Sequence, residues 1–404
     1  MVRLGFDLVW EADDMRMLIR AAPTLSLAGV GAAAIFAVSL AGVKLAYCLL
    51  HSCDFATARA RPVPKDGFKG KVVWITGASS GIGKELAKQF AAKGARLILS
   101  SRRREALLAV RSDIVAASRG TVQDEDIKVV TLDLEHVDSM RDCTRAAIAS
   151  FGKVNILVNN GGVSQRCLAR ESMLQLDKRI TMTDFTSHIA LARALLPHMH
   201  DQGAGNAQII NISSLAGKCG IGLRSGYCAA KAAVLGWMDA LRAEEAALGT
   251  GVKILNVCPG SVSTQISNNA LMGDGSKFGV TDPNIATGLP VEYCCERVLA
   301  AAYAELEESW IARPQELFPF YLYQYFPFWM RRTMLKNSRA TIERTLGKKI
   351  SMATLVLPTA LPITQMSSRP ASPNPTTQTP STRPITPQTA ERGGGKPTSL
   401  KLDS

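Results

Sequence analysis

Thr76-Gly77-Ala78-Ser79-Ser80-Gly81-Ile82-Gly83 closes the apolar run Lys71 to Thr76 and leads directly into a helical pattern from Gly83 to Lys93. Glycines here allow a tight turn and close approach of the backbone to an anion. The helix that follows offers unpaired amides and the positive end of its dipole. A glycine-rich run alone is a weak signal, but between an apolar strand and an amphipathic helix it becomes a phosphate cradle. Gly77, Ser79, Ser80, Gly81, Ile82 and Gly83 are its candidate residues.

Downstream, short and nearly continuous apolar runs alternate with helical patterns. The runs are Arg96 to Ser100, Ile127 to Leu132, Val154 to Asn159, Gln208 to Ser213, Val252 to Cys258 and a last one around Trp310 to Ala312. Val137 to Phe151, Thr181 to His200 and Gly226 to Leu248 carry helical patterns between them. Strands apolar on both faces, separated by helices, form a parallel sheet covered on both sides. The expected fold class is therefore α/β: a doubly wound parallel sheet of Rossmann type.

The ends of these strands are where such sheets bind ligands. An NAD site usually places an acid after the second strand, to accept from the ribose 2′-hydroxyl. Here Ser100-Ser101-Arg102-Arg103 offers none. Ser101 and Arg102 suit a 2′-phosphate, which a guanidinium grips bidentately, so the expected cofactor is NADP(H). Asp133 and Leu134 end the third strand, where Asp133 can accept from an adenine amine. Asn160, Gly161 and Gly162 end the fourth and line the same crevice.

Tyr227-Cys228-Ala229-Ala230-Lys231 places a phenol and an ammonium one turn apart on one helix face. A cation held beside a phenol favours its ionised form and makes it a usable proton donor and acceptor. Ser214 lies thirteen residues upstream of Tyr227, at the end of a strand. Ser214, Tyr227 and Lys231 are the candidate catalytic residues.

Together with Asn-Asn-Gly-Gly at 159–162 and Cys-Pro-Gly-Ser-Val-Ser-Thr at 258–264, these motifs resemble the short-chain dehydrogenase/reductase family over about residues 70–315. The resemblance implies that Tyr227 exchanges a proton with a carbonyl or alcohol while hydride moves to or from nicotinamide. Lys231 would acidify Tyr227 and hold the nicotinamide ribose, and Ser214 would fix the carbonyl oxygen. Pro259, Gly260 and Thr264 would pack around the nicotinamide, with Val262 offering backbone amide contacts. The family usually carries an Asn on the helix before the Ser strand, supporting a water held against the Lys. The corresponding position here is Asp184. Asp keeps the size and an acceptor but loses the amide donor, so the relay either works through the backbone or is slowed. Finer details, including Asn-Asn-Gly-Gly-Val-Ser-Gln-Arg at 159–166 and an added loop at Arg119 to Asp126, resemble a membrane-anchored branch of the family. Homodimers are common in such families.

From Thr24 to Val43 the sequence holds no charged residue, and apolar residues continue from Leu45 to Leu50. About 20 such residues span a bilayer as a helix. The acidic Asp7, Glu11, Asp13 and Asp14 before it make a poor signal peptide. We expect a single-pass anchor over 24–50 after an N-terminal segment 1–23, then a linker over 51–69 and a dinucleotide-binding domain over 70–316. The excess of Lys and Arg after the span places the bulk of the chain on the cytosolic side, with the endoplasmic reticulum as the expected membrane.

Net charge is +13, much of it beyond Arg331. No nucleic-acid motif accompanies that charge, and its position beside the aromatic run Phe318 to Trp329 fits an anionic membrane surface. The aromatic and basic extension over 317–350 closes an apolar pocket, lies at the membrane interface or caps the core. Residues 351–404 are rich in Pro, Thr and Ser and too poor in apolar content to fold. Nine cysteines without Cys-x-x-Cys spacing indicate neither a metal site nor a disulfide framework. Between Ser261 and Pro290, a stretch with few structural signals suits a lid. The expected substrate is a lipophilic carbonyl or alcohol, such as a steroid, a retinoid or a long-chain keto compound. The alternatives are a 3-ketosphinganine reductase-like enzyme and a catalytically weakened NADPH-binding scaffold or sensor.

Overall fold

The structure, a computed structural model, describes residues 2–4, 8–10, 27–203, 205–347 and 349, with side chains from 35 onward. The tail expected over 351–404 and most of the segment 1–23 lie outside the described residues.

Seven strands form the main sheet: β1 Val72–Thr76, β2 Arg96–Ser100, β3 Ile127–Val129, β4 Ile156–Asn159, β5 Gln208–Ile212, β6 Lys253–Pro259 and β7 Glu308–Ile311. They lie in the order 3-2-1-4-5-6-7 and every neighbouring pair is parallel. The order reverses between β1 and β4, which opens a crevice above their carboxyl ends.

Helices of eight or more residues are numbered in chain order: α1 Leu27–Leu50, α2 Gly81–Ala92, α3 Arg104–Ala117, α4 Met140–Phe151, α5 Leu174–Thr181, α6 Ser187–His200, α7 Ser225–Leu248, α8 Val291–Tyr303, α9 Pro314–Tyr325 and α10 Pro327–Leu346. Strand alternation divides the core between two faces. Val73, Ile75, Leu97 and Leu99 pack with Leu86 and Phe90 of α2, Leu107 of α3 and Val298 of α8. Val72, Trp74, Ile98 and Leu157 pack with Met140 of α4, Leu191 and Leu195 of α6, and Val234 and Met238 of α7. Because both faces are buried, the strands read as continuous apolar runs rather than alternating ones. The polar edge of Trp74 is satisfied by Ser100 Oγ, 2.9 Å from its indole nitrogen.

Three segments differ from the sequence expectation. The pattern over Thr181 to His200 begins earlier, at Leu174, and crosses one π-type turn at Met182–Thr186 before α6. Residues 51–69, expected as a linker, fold onto the domain: Cys53, Thr57, Val63 and Phe68 are buried, and Cys53 bridges to Ile311 of β7. Few of those residues are apolar, so periodicity hides the contact. The stretch 261–290 is pinned at several points, with backbone bridges from Val262 to Leu289 and from Leu271 to Gln165.

The anchor expected over 24–50 lies partly outside the described residues. Its helix is α1, and among the described residues no helix is long and apolar enough to cross a membrane.

Candidate active site

β1 and β4 end side by side, and their turns interlock. Thr76 Oγ1 accepts the amides of Asn160 and Gly161 at 3.0 and 3.1 Å, and Asn160 Nδ2 donates to Thr76 O at 2.9 Å. Gly77 has a φ of +66°, and a Cβ there would stand 2.7 Å from Gly161 Cα. A Cβ on Gly83 would lie 2.4 Å from the carbonyl oxygen of Gly77. The turn is therefore a cradle that side chains would fill. No side chain caps α2, whose first amides follow Ser80. Such an end suits a pyrophosphate, so the residues present fit a dinucleotide.

The cradle opens into one cavity of about 470 Å³. Every site residue expected from the sequence lines it: Gly77, Ser79, Ser80, Gly81, Ile82, Ser101, Arg102, Asp133, Leu134, Asn160, Gly161, Gly162, Asp184, Ser214, Tyr227, Lys231, Pro259, Gly260, Val262 and Thr264, with the exception of Gly83, which sits behind Gly77. At the end of β2, Arg102 Nη1 meets Glu135 Oε1 at 3.0 Å, an oxygen shared with Arg179 at 2.8 Å. Arg103 donates to Ser79 Oγ at 3.1 Å, so a second guanidinium stands on the glycine turn. Asp133 Oδ1 caps its own turn, accepting the amide of Glu135 at 3.0 Å.

At the other end, α7 begins beneath the cavity and presents Tyr227 and Lys231 on one face, with Lys231 Nζ 5.7 Å from the Tyr227 ring centre. Lys231 donates to the Ile212 carbonyl at 3.1 Å, and its own carbonyl accepts from Ser213 Oγ at 2.9 Å. Ser214 Oγ donates to Pro259 O at 3.3 Å and accepts the amide of Ala216 at 3.1 Å. These bonds tie the ends of β5, β6 and α7 into one frame.

Asp184 sits fully buried in the π-type turn. Its Oδ1 accepts the amide of Val163 at 2.8 Å, and its Oδ2 faces Lys231 Nζ at 3.3 Å, an ion pair without the angle of a hydrogen bond. Gly162 leaves room for it, since a Cβ there would fall 2.6 Å from Oδ2. Burial raises the Asp184 carboxyl above the usual carboxylate range, opposed by Lys231 and the Val163 amide. One turn on, His188 donates from Nε2 to the Gly161 carbonyl at 2.8 Å, which fixes its tautomer. Burial, reinforced by Lys231, drives His188 down to about 3, so its ring is neutral.

Sequence reasoning missed several neighbours. Gln165, fully buried, accepts the amides of Gly226 and Tyr227 at 2.9 and 3.4 Å and so holds the start of α7. Arg166 pairs with Asp282 at 3.1 Å, and Arg224 reaches the same oxygen at 3.0 Å. Burial, with Arg224 alongside, pulls Arg166 down to about 10. The run Gly162-Val163-Ser164-Gln165-Arg166 was visible as a motif, but its partners lie on α7 and in the segment 261–290.

A profile of the short chain dehydrogenase family matches residues 71–273. This chain belongs to the short-chain dehydrogenase/reductase family. It is 36% identical over 272 residues to Dehydrogenase/reductase SDR family member 7 of Homo sapiens, covering 67% of this chain and 79% of that protein. A protein of Drosophila melanogaster named Dehydrogenase/reductase SDR family protein 7-like is 35% identical over 275 residues, covering 67% of this chain and 82% of its own. Among solved structures, a short-chain dehydrogenase from Streptomyces avermitilis aligns with a TM-score of 0.55 and 26% identity, over 67% of this chain and 97% of that one. Another from Burkholderia phymatum, in complex with NAD, shares the fold with a TM-score of 0.56 at 23% identity, over 64% and 94% of the two chains. This short-chain dehydrogenase is thus a member of a nicotinamide-dependent oxidoreductase family, with its glycine turn, Ser214, Tyr227 and Lys231 gathered on one cavity.

Proposed function

We propose that this protein is a membrane-anchored, NADP(H)-dependent oxidoreductase that interconverts a lipophilic carbonyl and its alcohol. The observation that carries the reading is the convergence of Ser214, Tyr227 and Lys231 on the cavity that the glycine turn opens. When bound, the nicotinamide supplies or accepts the hydride. Ser214 Oγ orients the carbonyl oxygen, and the Tyr227 hydroxyl donates or removes the proton on that oxygen. Lys231 stands beside the phenol on the same helix face and is itself held by Ile212 and Asp184.

NADP(H) is supported by two guanidiniums, Arg102 and Arg103, at the cavity end where an NAD site would carry an acid. The anchor, proposed for the endoplasmic reticulum, is supported by the uncharged stretch Thr24 to Val43, whose 20 residues are about the length that crosses a bilayer core as a helix. The charge after the stretch favours a cytosolic catalytic domain. Exposed Phe326, Phe328 and Trp329 beside Arg331 and Arg332 fit a membrane interface. Ile221, Ile266, Leu271, Ile285 and Phe320 also line the cavity and suit an apolar substrate body. The Asp184–Lys231 ion pair favours one competing reading, a cofactor-holding protein with weakened turnover.

The test is turnover of a panel of lipophilic ketones and alcohols by the purified full chain, with Tyr227→Phe as control. Loss of about 10²-fold or more in kcat, with NADPH binding retained, is the expected result. Tyr227-independent turnover, or NADPH binding with no turnover of any compound, would overturn the reading.

A further inference from the structure

Among the described residues, the wall of the cavity beyond Tyr227 carries more positive charge than the carboxylates around it neutralise. Asp282 Oδ2 accepts from Arg166 Nε at 3.2 Å and Arg224 Nη2 at 3.0 Å, and Arg166 Nη2 lies 3.1 Å from it as an ion-pair contact. Its Oδ1 accepts the amide of Asn284 at 3.0 Å. Arg166 Nη1 is occupied within the fold, donating to Ser164 Oγ and the Gln165 carbonyl at 2.9 and 2.7 Å. Two cations therefore share one carboxylate, in a place where Asp282 is fully buried and the Arg166 side chain is 1% exposed.

The surrounding charges do not restore balance. Lys277 of the segment 261–290 lines the same cavity and adds a further cation. Glu316 lines it as well, but its carboxylate is taken by Arg313 at 2.9 Å and by the Ser261 amide at 3.2 Å. Asp177 is held by Gln165 and Ser172 and does not line the cavity. Glu135, Arg102 and Arg179 belong to the cofactor end. A surplus cation in a low-dielectric pocket is costly unless an anion joins it, and the pocket focuses its field on an arriving ligand.

We propose that the substrate carries an oxyanion, a carboxylate or a phosphate, which Arg224 binds beside the Arg166–Asp282 pair while its carbonyl faces Tyr227. Arg224 is 17% exposed at its side chain and lines the cavity, so its fork is within reach of a ligand. Leu271, Ile285 and Ile221 then hold an apolar body between the two polar ends. The substrate class is an amphiphilic keto or hydroxy acid or phosphate rather than a wholly neutral lipid. This inference rests on the carbonyl oxidoreductase reading for its chemistry, while its ligand binding is measured without turnover.

The experiment compares three ligands of one chain length: a medium-chain keto carboxylate, the corresponding keto phosphate monoester and the neutral methyl ester of the keto acid. Dissociation constants are measured by calorimetry on the full chain carrying Tyr227→Phe with NADPH present, at two salt concentrations. At least one anionic ligand is expected to bind about tenfold or more tighter than the ester, with an affinity that falls as salt rises. Whichever anion binds more tightly identifies the oxyanion. In Arg224→Gln the preference is expected to collapse towards one, and in Arg224→Lys to survive in part. If Arg224→Gln fails to fold, the wild-type preference and its salt dependence still decide. Equal or tighter binding of the ester overturns the oxyanion site and leaves the Tyr227 turnover assay untouched. Anion binding without Tyr227-dependent turnover of any ketone sinks the oxidoreductase reading alone.

Discussion

Asp184 Oδ2 stands 3.3 Å from Lys231 Nζ, and both side chains are buried. The ammonium proposed to serve the reaction is thus paired directly with an acid. A negative charge in this position favours the protonated form of every group around it.

Replacing Asp184 by Asn removes that charge while keeping the shape and the acceptor for the Val163 amide. Turnover is expected to persist, with the kcat profile displaced towards lower pH. Superimposable profiles for Asp184→Asn and wild type would show that the ion pair is without influence on catalysis.

Arg102 and Arg103 are expected to decide the cofactor. Arg102→Ala and Arg103→Ala should each weaken NADPH binding about ten- to hundredfold, the range for lost hydrogen bonds to a charged group. NADH binding should change little. A wild-type protein that binds NADH as tightly as NADPH, measured by fluorescence titration, contradicts the assignment.

Gln165 holds the catalytic helix by its first amides. Gln165→Leu, similar in volume, leaves those buried donors without an acceptor and should cost about 1–3 kcal/mol. Because the phenol then loses its fixed position, kcat should fall about tenfold or more while NADPH affinity is largely kept. Denaturant midpoints and steady-state kinetics separate the two effects, and an unchanged kcat would remove Gln165 from the positioning role.

His188 gives the fold a pH dependence. Its folded value, about 3, lies below the ordinary 6.5, so the unfolded chain binds the extra proton first. The stability it contributes is fully present above about pH 6.5 and is lost as pH falls towards 3, by about 2–3 kcal/mol at pH 4.5. Asp184, shifted upwards, acts in the opposite sense over the carboxylate range. In His188→Gln, the fall in thermal midpoint between pH 6.5 and 4.5 should be visibly shallower than in wild type. Parallel falls would mean that other groups govern acid unfolding.

How much of this was legible in the sequence follows from how local each signal is. The run Lys71 to Gly83 announces a strand, a turn and a helix because each depends on neighbours along the chain. Tyr227 and Lys231 are one helical turn apart, so their shared face is set by helix geometry alone. The parallel sheet follows from strands apolar on both faces, and the structure extends or shortens each by only a few residues. Asp184 stood out only through the resemblance to the short-chain dehydrogenase/reductase family, and its pairing with Lys231 was not visible at all.

What remained hidden depends on residues far apart in sequence meeting in space. Nothing local in Arg166 or Arg224 tells that both reach one oxygen of Asp282, 116 and 58 residues away. Gln165 reads as an ordinary polar residue until the fold sets it under Tyr227, 62 residues later. The stretch 51–69 carries little periodicity, yet Cys53 and Thr57 bury against β7 because the sheet edge is there to receive them. The glycine turn, the sheet and the Tyr–Lys pair are thus written in the chain itself, because short-range geometry and apolar patterning determine them. The charge environment of the pair, with Asp184 on one side and the surplus guanidinium on the other, exists only once the strands have brought those residues together.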